Sequence, residues 1–186
     1  MKRSILLIFI FFLFTLPASS QYYFGGGPQY MLPLSDYETA NDPDIGFTIH
    51  YDMRQWCKFW YGLRLDYFSP EQSDDLLPGQ DYFEDFIYIS PNFRYNFLGN
   101  DCRSYNFVPY VQGMLTFSSI TGSDELGSFG IGGAAGLGMA YSFSVFDLCW
   151  MLDLNTLYSA PNFIIKDEDR ETIQSANVSL TLSVRL

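Results

Sequence analysis

From Phe146 to Asn155 every even position is apolar, and the carboxylates and the amide fall only on odd positions. Phe146, Leu148, Trp150, Leu152 and Leu154 are apolar, while the residues between them include Asp147, Asp153 and Asn155. Successive side chains of a β-strand point to opposite faces, so this pattern describes a strand with one apolar and one polar face. Comparable stripes recur along the chain, and no helical period competes with them. Period-2 runs bounded by turn residues predict eight strands, at 22–32, 44–54, 57–68, 84–97, 104–119, 128–145, 146–160 and 172–186.

The first twenty residues stand apart. Lys2 and Arg3 precede an apolar run from Ile5 to Leu16, and Ala18-Ser19-Ser20 supplies small residues before a cut. This is the pattern of a cleavable signal peptide, so export is expected, with residues 21–186 as a single mature domain. Gln21 in place of Cys after the cut argues against a lipoprotein.

Loss of Lys2 and Arg3 takes the formal charge from −11 to −13. So acidic a chain offers no basic face for nucleic acid. The acids concentrate in connecting segments: Asp36 to Asp44, Glu71 to Asp85 (with Asp74 and Asp75), Asp124 with Glu125, and Asp167 to Glu171 (with Asp169). Short turns alternate with longer acidic loops, which is the layout of an outer-membrane barrel whose loops face outward.

Two features separate a barrel in lipid from a soluble one with its apolar set inside. Opposite Phe129, Ile131, Leu137, Met139, Tyr141 and Phe143 runs a set of very small residues, Gly130, Gly132, Ala134, Gly136, Gly138 and Ala140. A solvated face has no need of such residues, whereas the crowded lumen of a small barrel does. The polar sets also carry both signs of charge: Asp52, Asp66, Asp147 and Asp153 against Arg54, Lys58, Arg64, Arg94 and Arg185. Near-neutral pairing suits an enclosed interior, where unpaired charge is costly. The expected fold is therefore all-β, an eight-stranded antiparallel up-and-down transmembrane barrel with its apolar face to lipid.

On this reading His50, Asp52, Arg64, Asp66, Arg94, Asp147, Asp153 and Arg185 form a structural charge network that plugs the lumen. The alternative is a proton or ion path, but eight strands leave no open channel. His50, the chain's one histidine, shares a face with Asp52, yet no nucleophile in a recognisable motif accompanies it. The run Gly130-Ile-Gly-Gly-Ala-Ala135 fits a loose dinucleotide pattern, but alternation continues through it where a helix would be required. The acidic loops lack the ordered spacing of a calcium loop, so no metal and no cofactor are expected. Cys57 and Cys102 flank turns at the same end of the barrel, which makes a Cys57–Cys102 disulfide a candidate in an exported chain. Cys149 is expected as a small buried filler.

Tyr88-Ile-Ser-Pro-Asn-Phe-Arg-Tyr-Asn-Phe97, followed by Val108-Pro-Tyr-Val-Gln-Gly113, resembles the small PorT-like outer-membrane barrels of Bacteroidota. The resemblance implies an eight-stranded barrel inserted by the outer-membrane assembly machinery, some of whose relatives serve protein secretion and gliding. The chain departs from such barrels in ending on Leu186 rather than an aromatic residue. The expectation is a non-enzymatic outer-membrane protein contacting lipid and lipopolysaccharide, with an envelope-structural or partner-binding role through its acidic loops. The alternatives are a secretion-complex subunit, a lipid-A-modifying or proteolytic barrel enzyme, and a secreted soluble barrel for an apolar ligand.

Overall fold

The structure is a computed structural model that describes residues 21–34, 41–55, 58–71, 83–98, 106–122, 128–165 and 173–186. The leader, Cys57, Cys102, and the loop acids Asp74, Asp75, Asp167 and Asp169 lie outside the described residues.

Eight strands follow in order: β1 (Gln21–Leu34), β2 (Asp44–Arg54), β3 (Phe59–Phe68), β4 (Phe83–Asn96), β5 (Asn106–Gly122), β6 (Ser128–Val145), β7 (Leu148–Ile165) and β8 (Gln174–Arg185). Each pairs antiparallel with the next, and β8 pairs with β1, closing an up-and-down barrel. Paired residues lead from Tyr22 through Met53, Tyr61, Phe93, Gly113, Ala135, Tyr158 and Ala176 back to β1 at Leu32, ten residues beyond the start. A stagger of this size tilts the strands by roughly 40° and leaves a lumen that side chains can fill.

The burial pattern is inverted relative to a water-soluble protein. Asp52, Arg64, Asp66, Arg94 and Asp153 are buried, while Ile49, Leu63, Ile89, Leu137, Leu154 and Leu180 are exposed on the outer surface. This outer face is banded. Near the end that holds both Gln21 and Arg185, outward aromatic rings pack against one another, as in Phe59 with Tyr95 and Phe107 with Tyr141. Toward the far end a second group includes Phe47, Tyr67 and Tyr158, with Tyr67 donating to Asp85 and Tyr158 to Gln174. Aliphatic residues occupy the band between. Two aromatic girdles around an apolar belt match an apolar layer bounded by two polar interfaces.

The expected strand 146–160 needs correction at both ends. Val145 pairs directly with Leu148, and Phe146 and Asp147 form the turn with φ of 53° and 61°. Two successive residues at positive φ are what a two-residue hairpin turn of the primed type demands. Phe146 is consequently 92 % exposed at the barrel's end rather than part of the outward stripe. At its other end β7 continues through Pro161 to Ile165, across a register irregularity opposite Ile131 and Gly133.

The small-residue face of β6 turns inward and makes room for large lumenal side chains. Gly138 pairs with Tyr110, and a Cβ at Gly138 would run into the Tyr110 ring. We expect Gly138→Val to destabilise the barrel by about 1–3 kcal/mol through overpacking. The outward Ala135→Val should change stability by no more than about 0.5 kcal/mol. Denaturant titration of the two variants in detergent micelles measures the difference.

Candidate functional site: the lumenal polar network

The inward side chains fall into three layers along the barrel. Near the end that holds the termini, Tyr23, Trp60, Tyr110, Ala140, Cys149 and Met151 form a buried cluster. Near the far end, Met31, Phe68, Phe86, Tyr88 and Ile173 form another. Between them lies a polar layer built from inward positions of β1 to β5, β7 and β8, Gln29 on β1 and Thr181 on β8 among them.

Arg94 organises the part of this layer nearer the termini. Its Nη1 donates to Asp153 Oδ2 at 2.7 Å and its Nε to Asn96 Oδ1 at 2.7 Å. Tyr110 donates its hydroxyl to Asp153 Oδ1, and Asn155 Nδ2 donates to the same oxygen at 3.3 Å. The Arg94 guanidinium carbon lies 3.6 Å from the Tyr110 ring centre and 4.9 Å from that of Trp60. Delocalised, weakly hydrated charge makes arginine suited to such a stacked, ion-paired position.

Arg64 holds the second pair, donating from Nε to Asp66 Oδ1 at 2.7 Å. Its Nη2 reaches Gln29 Oε1 at 2.9 Å and Ser179 Oγ at 3.4 Å. His50 and Asp52 lie between the two arginine centres. His50 Nε2 is 2.8 Å from Ser183 Oγ and 3.7 Å from Asp52 Oδ2, and Asn92 Nδ2 donates to Asp52 Oδ1 at 3.2 Å.

These contacts bear directly on a hydrolytic site at His50. A serine–histidine–aspartate relay uses one ring nitrogen for the serine and the other for the carboxylate. Here both partners face Nε2, and Ser183 Oγ is buried inside the lumen rather than presented at a surface. Among the described residues, no group of three His, Cys, Asp or Glu side chains is placed to hold a metal ion.

Two residues expected in the network lie outside it. Asp147 sits exposed in the β6–β7 turn, because its alternation with Phe146 continues the strand pattern through residues that actually form the bend. Arg185 is half-buried at the end of β8 opposite Tyr23 and joins none of the ion pairs among the described residues. Conversely, Tyr110, Asn92, Asn96, Gln29 and Ser183 belong to the network although none carries charge. Their inward parity on the strands was the available signal.

Cys149 is buried beside Tyr23, with its sulfur 3.8 Å from the tyrosine hydroxyl, and it is disulfide-bonded rather than a free filler. The expected Cys57–Cys102 pair falls on residues outside the described ones.

No protein-family model matches the chain, and no curated protein matches it. Solved structures do. The crystal structure of Neisserial surface protein A (NspA) is similar with a TM-score of 0.57 at 12 % identity, over 89 % of this chain and 97 % of that one. The attachment invasion locus protein Ail of Yersinia pestis, in complex with the heparin analogue sucrose octasulfate, gives 0.49 at 14 % identity over 90 % and 97 %. At these identities the NspA match speaks to fold: the chain has the architecture of the small eight-stranded outer-membrane barrels.

Two outcomes follow for the network. Arg94→Leu should cost about 3–5 kcal/mol by leaving Asp153 buried without its partner, and Arg94→Leu with Asp153→Leu should recover most of that. Denaturant unfolding of the two variants in micelles checks this. Peptide mapping without reduction should find Cys149 in a disulfide-linked peptide, and recovery of Cys149 as a free thiol would contradict that.

Proposed function

We propose that the protein is an integral outer-membrane barrel, closed to solutes, that acts through its ends and loops as an envelope-structural or partner-binding component. The observation that carries this reading is the inverted burial: ion pairs inside, and an apolar belt between two aromatic girdles outside. Charged groups in the centre and leucines on the surface form a stable arrangement only where the surrounding solvent is apolar. Closure to solutes is supported by the two apolar layers that bracket the polar one.

With the termini in the periplasm, the acidic segments lie outside the cell. There Asp74, Asp75, Asp167 and Asp169 would meet lipopolysaccharide, bridged by divalent cations, or a protein partner. Insertion by the outer-membrane assembly machinery belongs to the same reading, as does export by the leader at 1–20.

The PorT-like resemblance would favour an accessory role in a secretion complex. Its motif residues on β4 and β5 include Ser90, Asn92, Arg94, Val108 and Tyr110, which face the lumen, with the Arg94 guanidinium stacked on the Tyr110 ring. The motif therefore reports how such a barrel is filled and leaves the choice of partner open. A barrel-hydrolase role has less support, since both partners of His50 share one ring nitrogen.

Cell fractionation should place the protein in the outer membrane, with unheated and heated samples migrating differently on a gel. Reconstituted in planar bilayers it should give no steady porin-like conductance. Recovery as a soluble protein without detergent would refute the membrane assignment, and stable open-channel currents would refute closure.

A further inference from the structure

We propose that the waist of the lumen is a built water site, where one water or a small cluster binds as a fixed part of the fold. A polar cavity lies there between the two apolar layers, lined by Asp52, Asn92, Arg94, Gln112, Asp153 and Asn155 among others. Four atoms on its lining residues are buried and have no protein partner: Arg94 Nη2 and Gln112 Nε2, which donate, and Asn92 Oδ1 and Asn155 Oδ1, which accept. Asn92, Arg94 and Asn155 are 6 %, 6 % and 5 % exposed, so bulk solvent does not reach them freely.

The two asparagine amides cannot be reversed to remove the problem. Asn92 Nδ2 donates to Asp52 and Asn155 Nδ2 donates to Asp153, so either flip would set a carbonyl oxygen against a carboxylate. As oriented, the unpartnered set is two donor nitrogens, Arg94 Nη2 and Gln112 Nε2, and two acceptor oxygens, Asn92 Oδ1 and Asn155 Oδ1. That is the valence of a water molecule, which gives two hydrogen bonds and accepts two.

Charge selects against the competing occupants. A bare anion would meet Asp52 and Asp153, and a bare cation would meet Arg64 and Arg94, all four on the cavity wall. A neutral molecule that both donates and accepts satisfies every lining group. The aromatic layer lies toward one mouth of the barrel and the Met31–Phe68–Phe86 layer toward the other.

The test is a crystal structure of the folded barrel at a resolution that shows ordered water, paired with a bromide-soaked crystal. The expected result is a water peak within hydrogen-bonding distance of at least three of the four named atoms, with no anomalous signal there. In crystals of Asn155→Leu the peak should be lost or displaced. A dry cavity, the four atoms paired with protein groups instead, or an anomalous bromide peak at the site would each overturn the proposal. Should Asn155→Leu fail to fold, the wild-type maps still decide the question.

Discussion

Closure of eight strands with a stagger of ten residues fixes the width of the lumen, and the rest of the structure answers to that width. The space must be filled by side chains from every strand, while the outer surface is committed to apolar residues. Charge is therefore driven inward, into a volume where an unpaired ion is far more costly than in water. Arg94 shows how the constraint is met. It is paired with Asp153, bonded to Asn96, and stacked on Tyr110, whose ring in turn needs the missing side chain of Gly138. One glycine, two aromatic rings and an ion pair from different strands form a single fitted unit.

Much of this was legible in the sequence because the side-chain period of a strand is two. On β2, β3 and β8 the apolar set faces out and the polar set faces in along nearly the whole strand. The inward small residues of β6 were legible for the same reason, since nothing else explains glycine at alternate positions of a long strand. Periodicity fails where a turn keeps the alternation. Phe146 and Asp147 continue the apolar–acidic pattern of β7 and contain neither glycine nor asparagine, so the pattern runs on through the bend. Asp147 was misplaced for that reason alone. Pro161 misled in the opposite sense: it reads as a strand end, yet it lies buried beside an irregularity that lets β7 continue.

The network itself was half legible. Formal charges mark Arg64, Asp66, Arg94 and Asp153, but the partners that complete their hydrogen bonds are neutral: Asn96 and Asn155 from two positions along the same strand, the others from different strands. Tyr110 and Asp153 are 43 positions apart, and Arg64 and Ser179 are 115 apart. Only the closed register brings them together. The buried, inward position of Cys149 was legible from its parity on β7, whereas its disulfide was not. Because the motif on β4 and β5 serves lumen packing, it identifies a way of building a barrel more than a task, and the search for partners moves to the rim and loops.

The central claim is the inversion itself: apolar face to lipid, charged face to a packed lumen. Spin labels placed singly from Trp150 to Tyr158 in the bilayer-reconstituted protein test it most directly. The account predicts oxygen accessibility that rises and falls with a period of two, highest at Leu152, Leu154 and Thr156 and low at Asp153, Asn155 and Leu157. High accessibility at Asp153 and Asn155 with protection at Leu152 and Leu154 would contradict it.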